Sequence, residues 1–336
     1  MADELADIML VLTWDDSAHG DFFARFEQRY MAALCHCLGV RLAQLRRADP
    51  RLAAEAEVAL DALSEEALAQ FLLHPATSRH LVTSLHSLAD VGAYLTAARA
   101  PTFQGSSGHL LGCIPLREDY DDRPAGAALA VNVGALAQST AALIAPVGTF
   151  WRAIMRELVL REDRSRPAFF SNSPQGYVGR AIITNGHLPL VDDTMLVEAM
   201  VHETIHGFVG MSEAIGLSGA AGARPWLLDR GHYDGVSRVT SPWTGTPLDI
   251  PTYLHACFVW WGLLHFWGRL REHDLCDSAR KRSRFFRALK GFAGDAFVRE
   301  LEPHRADISP QLMAVFAEMS DALAPVWREE ALEQAL

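Results

Sequence analysis

Two histidines four residues apart, His202 and His206, bracket Glu203, Thr204 and Ile205 in the run His-Glu-Thr-Ile-His. On an α-helix, residues i and i+4 share a face, so the two imidazoles can converge on one metal ion. Glu203 is rotated by about 100° from His202. From there its carboxylate can reach a water or substrate atom on that ion. Glu198 lies four residues before His202 on the same stripe, placed to accept a hydrogen bond that orients a ligand imidazole.

Two histidines do not complete a catalytic site; a third ligand is required. The extended protease pattern would place glycine at 209 and histidine at 212, where this chain has Val209 and Ser212, and that protease class is excluded. Other proteases draw the third ligand from a downstream carboxylate. Glu213, Asp229 and Asp234 are available in what reads as a loop-rich stretch, and none sits in a helical Glu-x-x-x-Asp context. The preferred candidate is His255, near the start of a helix otherwise built from Leu, Phe, Val and Trp, where an unpartnered imidazole is costly. His232 is held in reserve, and His265 reads as a core histidine bonded to a carbonyl. Cys35-His36-Cys37 looks metal-like, but i and i+2 point to different faces of the helix it sits in.

The elements that position these residues read as mostly helical, an α+β chain with a small sheet. Helices are expected over Asp21 to Arg47, Leu52 to Leu73 and Ser78 to Ala98. One or two more are expected over 135–161, interrupted at Pro146. The strand signals are Ala168 to Ser171 and Tyr177 to Thr184, joined by a turn-like Asn172-Ser173-Pro174-Gln175-Gly176. Asp192-Asp193 then caps a helix that runs to about Met211 and carries the histidine pair. A strongly apolar helix is expected from Thr252 to Glu272, with two more near 278–298 and 309–335. The loop from Thr102 to Gly126 divides the chain into an N-terminal helical region, 1–125, and a metal-binding domain, 126–336.

Composition narrows the function classes. A chain of 336 residues with a formal net charge of −11 does not advertise itself to nucleic acid or to an anionic membrane. Pro124 to Trp151 and Ile250 to Gly268 are long enough to span a bilayer, but their polar residues make buried helices the better reading. Five cysteines, an odd number, follow an acidic N-terminus with no basic signal region, which suggests free thiols in a reducing cytoplasm.

Several segments together carry a resemblance. They are Phe170-Ser171-Asn172-Ser173 before a strand containing Gly179, then Glu198-Ala199-Met200-Val201-His202-Glu203. Ser241-Pro242-Trp243 follows, and Leu254-His255-Ala256 opens a helix ending Phe266-Trp267. Over about residues 130–270 the chain resembles the HExxH-domain proteins of peptide-modification gene clusters, understood as iron(II)- and 2-oxoglutarate-dependent peptide β-hydroxylases. The resemblance implies His202, His206 and His255 as Fe(II) ligands, 2-oxoglutarate as cosubstrate, and a peptide, ribosomally made, as substrate. Many relatives have Arg-Pro-Leu where this chain has Thr246-Pro247-Leu248. Another cation would then anchor 2-oxoglutarate, and Arg180 and Arg238 are the candidates. The strand pair near Tyr177 to Thr184 could dock an extended peptide by strand addition. Trp243, Trp260 and Trp261 are candidates to line the site, and the N-terminal helices are candidates to recognise the substrate. The rival expectations are a zinc metallopeptidase with Glu203 as general base and a non-catalytic binding protein. Oligomeric state is not legible.

Overall fold

The computed structural model describes residues 2–16, 21–82, 86–97, 122–124, 127–174, 176–218 and 238–335. The chain is mostly helical with a small four-stranded sheet, the expected class. It divides into two compact units, both discontinuous in sequence. One comprises residues 21–138 and 149–223 and contains the sheet and the histidine pair. The other comprises 1–20, 139–148 and 224–336. The expected boundary at 125/126 falls on residues outside those described.

In chain order the helices are α1 (Ala2–Val11), α2 (Phe22–Ala48), α3 (Pro50–Asp61), α4 (Glu65–Leu73), α5 (Pro75–Leu81), α6 (Leu88–Thr96), α7 (Ala127–Leu143), α8 (Ala145–Ile154), α9 (Asp193–Ser218), α10 (Ile250–Leu270), α11 (Ser278–Lys290), α12 (Ala296–Arg299) and α13 (Pro310–Ala335). Two expected helices are each broken in two. Leu52 to Leu73 divides because Ser64 caps α4, its side chain accepting from the Ala67 N–H. Ser78 to Ala98 divides because Ser87 and Asp90 form a capping box at the start of α6.

The strands of the sheet unit are β1 (Asp122–Pro124), β2 (Glu157–Asp163), β3 (Phe170–Asn172) and β4 (Arg180–Thr184), in spatial order β1-β2-β4-β3. β2 was expected to be helical. It is a strand parallel to β4, with Glu157 opposite Arg180 and Arg161 opposite Thr184. Its Leu158, Val159 and Leu160 are buried, the continuous apolar run of a strand covered on both faces. β3 pairs antiparallel with β4 at the sheet's edge, as the turn between them suggests. Buried Asn185 fixes the loop into β3. Its side chain accepts from the Asp163 N–H and donates toward the carbonyls of Asp163, Arg166 and Ala168.

α9 packs between the sheet and α2. Phe208 of α9 meets Phe26 and Phe22 of α2 and Phe150 of α8, with ring centroids 4.8, 6.1 and 5.3 Å away. One contact is backbone on backbone. A Cβ on Gly207 would lie 3.4 Å from the Gly179 Cα and 3.3 Å from Ile154. Gly179 itself adopts φ +87°, which an L side chain rarely takes. Glycine at these two positions lets the lead-in to β4 lie against the helix one residue beyond His206.

The second unit is built on α10, capped by Asp249 and nearly all buried. The Trp14 indole donates to the Gly262 carbonyl and Trp261 to that of Met9. The short hairpin of β5 (Val239–Thr240) and β6 (Pro247–Leu248) precedes α10. Trp243, between these strands, donates to the Ala288 carbonyl and stacks on Trp260 at 5.8 Å. Among the described residues, no helix is long and apolar enough to cross a membrane.

Candidate metal centre

α9 is an apolar helix buried almost all round, and it leaves one stripe half open. Met195, Glu198, His202, His206, Gly210 and Glu213 are its half-exposed residues after the first turn, spaced by three or four. Polar residues off this stripe are satisfied within the helix: Thr204 donates to the Met200 carbonyl and Ser212 to that of Phe208. The two histidines are therefore the polar rings that the helix presents outward. The helix runs seven residues past the expected end, so Glu213 is helical, not in a loop.

The imidazoles converge. His202 Nε2 and His206 Nε2 are 3.1 Å apart, and the rings tilt by 53°. Two ligands in neighbouring positions around one ion, with bonds of about 2.1 Å, sit about that far apart. Burial pushes the His202 pKa down to about 4, although a third of its side chain reaches solvent. The ring is thus neutral at pH 7, the state that ligates a metal.

Glu203 points the other way around the helix, into the protein. It is 2% exposed and held by two hydroxyls. Ser171 on β3 donates to Oε1 at 2.7 Å, and Ser173, just beyond, lies 2.9 Å from Oε2 and 3.0 Å from the Glu203 carbonyl oxygen. Burial raises its pKa, incompletely opposed by His206 and the two serines. Oε1 is 3.9 Å from His202 Nε2. Among the described residues, His202, Glu203 and His206 form the one group of three potential ligand side chains whose atoms all lie within 4.8 Å of one another.

The other expected site residues are distributed as follows. Glu198 is on the α9 stripe, one turn before His202. His255 is on α10 of the other unit, half-buried, near the helix start. Arg238 is exposed, immediately before β5 in that same unit. Arg180 opens β4, where its guanidinium is ion-paired with Glu157 at 2.5 Å and lies over the Tyr177 ring. Asp229, His232 and Asp234 lie outside the described residues. His265 packs edge-on against Trp261 at 4.4 Å, and its Nε2 makes no hydrogen bond, contrary to the carbonyl expected for it. Trp243, Trp260 and Trp261 are buried in the core of their own unit, where Trp243 closes directly over Gly291. Cys35 and His36 are exposed and Cys37 is half-buried on α2.

The partners missed in the sequence are Ser171 and Ser173. Their i, i+2 spacing on a strand puts both hydroxyls on one side, but nothing local identifies Glu203 as their acceptor. No protein-family model matches the chain, and no curated protein matches it.

Proposed function

We propose that this protein is an iron(II)- and 2-oxoglutarate-dependent oxygenase that hydroxylates a side-chain β-carbon of a ribosomally made precursor peptide. The observation that carries this reading over the peptidase is the state of Glu203. A general base must reach a metal-bound water and exchange a proton with it. Here both carboxylate oxygens accept from serine hydroxyls, Ser171 on β3 and Ser173 just beyond it, while His202 and His206 turn their nitrogens to one point on the open stripe. An oxygenase needs no such base.

In this reading His202 and His206 hold the iron. The bound iron, with 2-oxoglutarate and O₂, supplies the oxidising power, and the net reaction converts C–H, 2-oxoglutarate and O₂ to C–OH, succinate and CO₂. The protein's own contribution is to keep His202 neutral, fix the ring orientations and hold the peptide C–H in place. The Arg180 charge is already neutralised by Glu157 within the fold, so in this reading another cation holds the 2-oxoglutarate carboxylate. Of the strand pair expected to take the peptide, β4 is paired on both sides and β3 is at an edge of the sheet. The edge strand is β3, whose serines touch Glu203, and an extended peptide adding there runs beside the site.

The test is anaerobic reconstitution with Fe(II), then O₂ and 2-oxoglutarate with the candidate peptide. Succinate should form in a peptide-dependent way and the peptide should gain the mass of one oxygen. His202→Ala and His206→Ala should each abolish both. Peptide cleavage with zinc and without O₂ would replace this reading with the peptidase.

A further inference from the structure

A buried carboxylate one residue from a metal-binding histidine has two options: to join the ion's ligands, as in a two-histidine, one-carboxylate set, or to stand off. The position of Glu203 decides between them. Its Oε1 is 3.9 Å from His202 Nε2, against 3.1 Å between the two histidine nitrogens. Neighbouring ligands with bonds of about 2.1 Å are about 3.0–3.4 Å apart, so this oxygen is set back from a ligand position.

What sets it back is the sheet. The Ser171 backbone cannot follow the carboxylate, because it is paired with Ile183 in the ladder of β3 and β4. Ser173 lies two residues on, and its hydroxyl is shared between Oε2 and the Glu203 main-chain oxygen, tying side chain and helix backbone to one anchor. Both donors are neutral, so they satisfy the carboxylate without cancelling its charge. For Glu203 to ligate, Oε1 would have to shift toward the histidine nitrogens from the place where the two hydroxyls hold the carboxylate.

We propose that Ser171 and Ser173 are positioning residues that hold Glu203 beside the ion as an unligated carboxylate, and so keep a coordination position open for substrate. This rests on the metal-centre reading above. It assigns Glu203 a fixed charge next to the ion, and it assigns the Phe-Ser-Asn-Ser segment the task of holding it.

The test uses the full chain, stripped of metal and titrated with Co(II) under anaerobic conditions, where the visible absorption bands report the ligand set without any turnover. Ser171→Ala/Ser173→Ala should release the carboxylate onto the ion, changing the Co(II) spectrum and tightening Co(II) binding about tenfold. Ser171→Thr, which keeps the hydroxyl, should retain the wild-type spectrum. In a Glu203→Gln background the same serine changes should have no spectral effect. Should the double variant not fold, the single Ser173→Ala variant carries the same expectation in smaller measure. Serine variants with wild-type spectrum and affinity, or equal shifts in the Glu203→Gln background, overturn the proposal while leaving the metal centre standing. Failure of the wild type to bind Co(II) overturns both.

Discussion

Glu157 and Glu203 are both buried in the unit that contains the sheet, 8% and 2% exposed, yet they are satisfied by opposite means. Glu157 opens β2 between two donors: the Arg180 guanidinium contacts one oxygen and His74 Nε2 the other at 2.9 Å. Burial alone would raise its pKa, but His74 and Arg180 outweigh burial and hold it below the usual carboxylate value. Glu203 has neutral hydroxyls instead, and its pKa moves up. In the proposed reading, the contrast separates a structural carboxylate from a functional one. Glu157 ties α5 and β4 to the start of β2, with its charge cancelled where it stands. Glu203 has only neutral hydroxyls as hydrogen-bond donors and lies beside the two histidines, an arrangement that costs the fold when the carboxylate is ionised and, in the proposed reading, serves a cation at the site.

The comparison can be broken by finding that either region does the other's work. The largest effect expected is on metal binding. His206→Ala should weaken Co(II) or Fe(II) binding by roughly a thousandfold, well beyond the 10- to 100-fold typical of losing an outer partner, while the melting temperature of the stripped protein stays within a degree or two. Competition titration and calorimetry check the two halves. Next is the Glu157 cluster. Glu157→Gln leaves a buried guanidinium without its counter-charge and should cost about 3 kcal/mol of stability, read by urea denaturation, with metal affinity unchanged. Arg180→Met should behave alike. If instead it raised the KM for 2-oxoglutarate at unchanged stability, Arg180 would be the cosubstrate anchor after all.

The two regions also differ in how far the sequence announces them. The histidine pair is legible because i, i+4 spacing on one helix is local, and α9 and α10 are legible because Asp192 and Asp249 cap long apolar runs. The Glu157 cluster is not, since it joins residues 74, 157 and 180 through a parallel strand pair. β2 itself hides because a short apolar run such as Leu158 to Leu160 reads equally as strand or as buried helix. The breaks before α4 and α6 had local signals, Ser64 before Glu65-Glu66 and Ser87 before Asp90, which the helix propensity of the surrounding Ala and Leu residues masks. For Glu203 the motif names the residue but not its environment. Only the register of β3 on β4 brings the two serines to it.

The smallest effect is also the most diagnostic, because the two glutamates should give stability profiles of opposite slope. Glu157 has a depressed folded pKa, so its stabilisation is present above the unfolded value near 4.5 and is lost as pH falls through the folded one. The deficit of Glu157→Gln relative to wild type should therefore be full at pH 7 and shrink on acidification. Glu203 has a raised folded pKa, so the fold favours its protonated form below the unfolded value, and that advantage is lost as pH rises through the folded pKa. In metal-stripped protein, Glu203→Gln should match or exceed wild-type stability, and its lead should widen as pH rises. Added Co(II) should erase that lead, since the ion neutralises the wild-type carboxylate's surroundings and gives the glutamine nothing comparable. Denaturation series at several pH values, with and without the metal, measure both slopes. Two profiles of the same sign would mean that Glu203 is a structural carboxylate like Glu157.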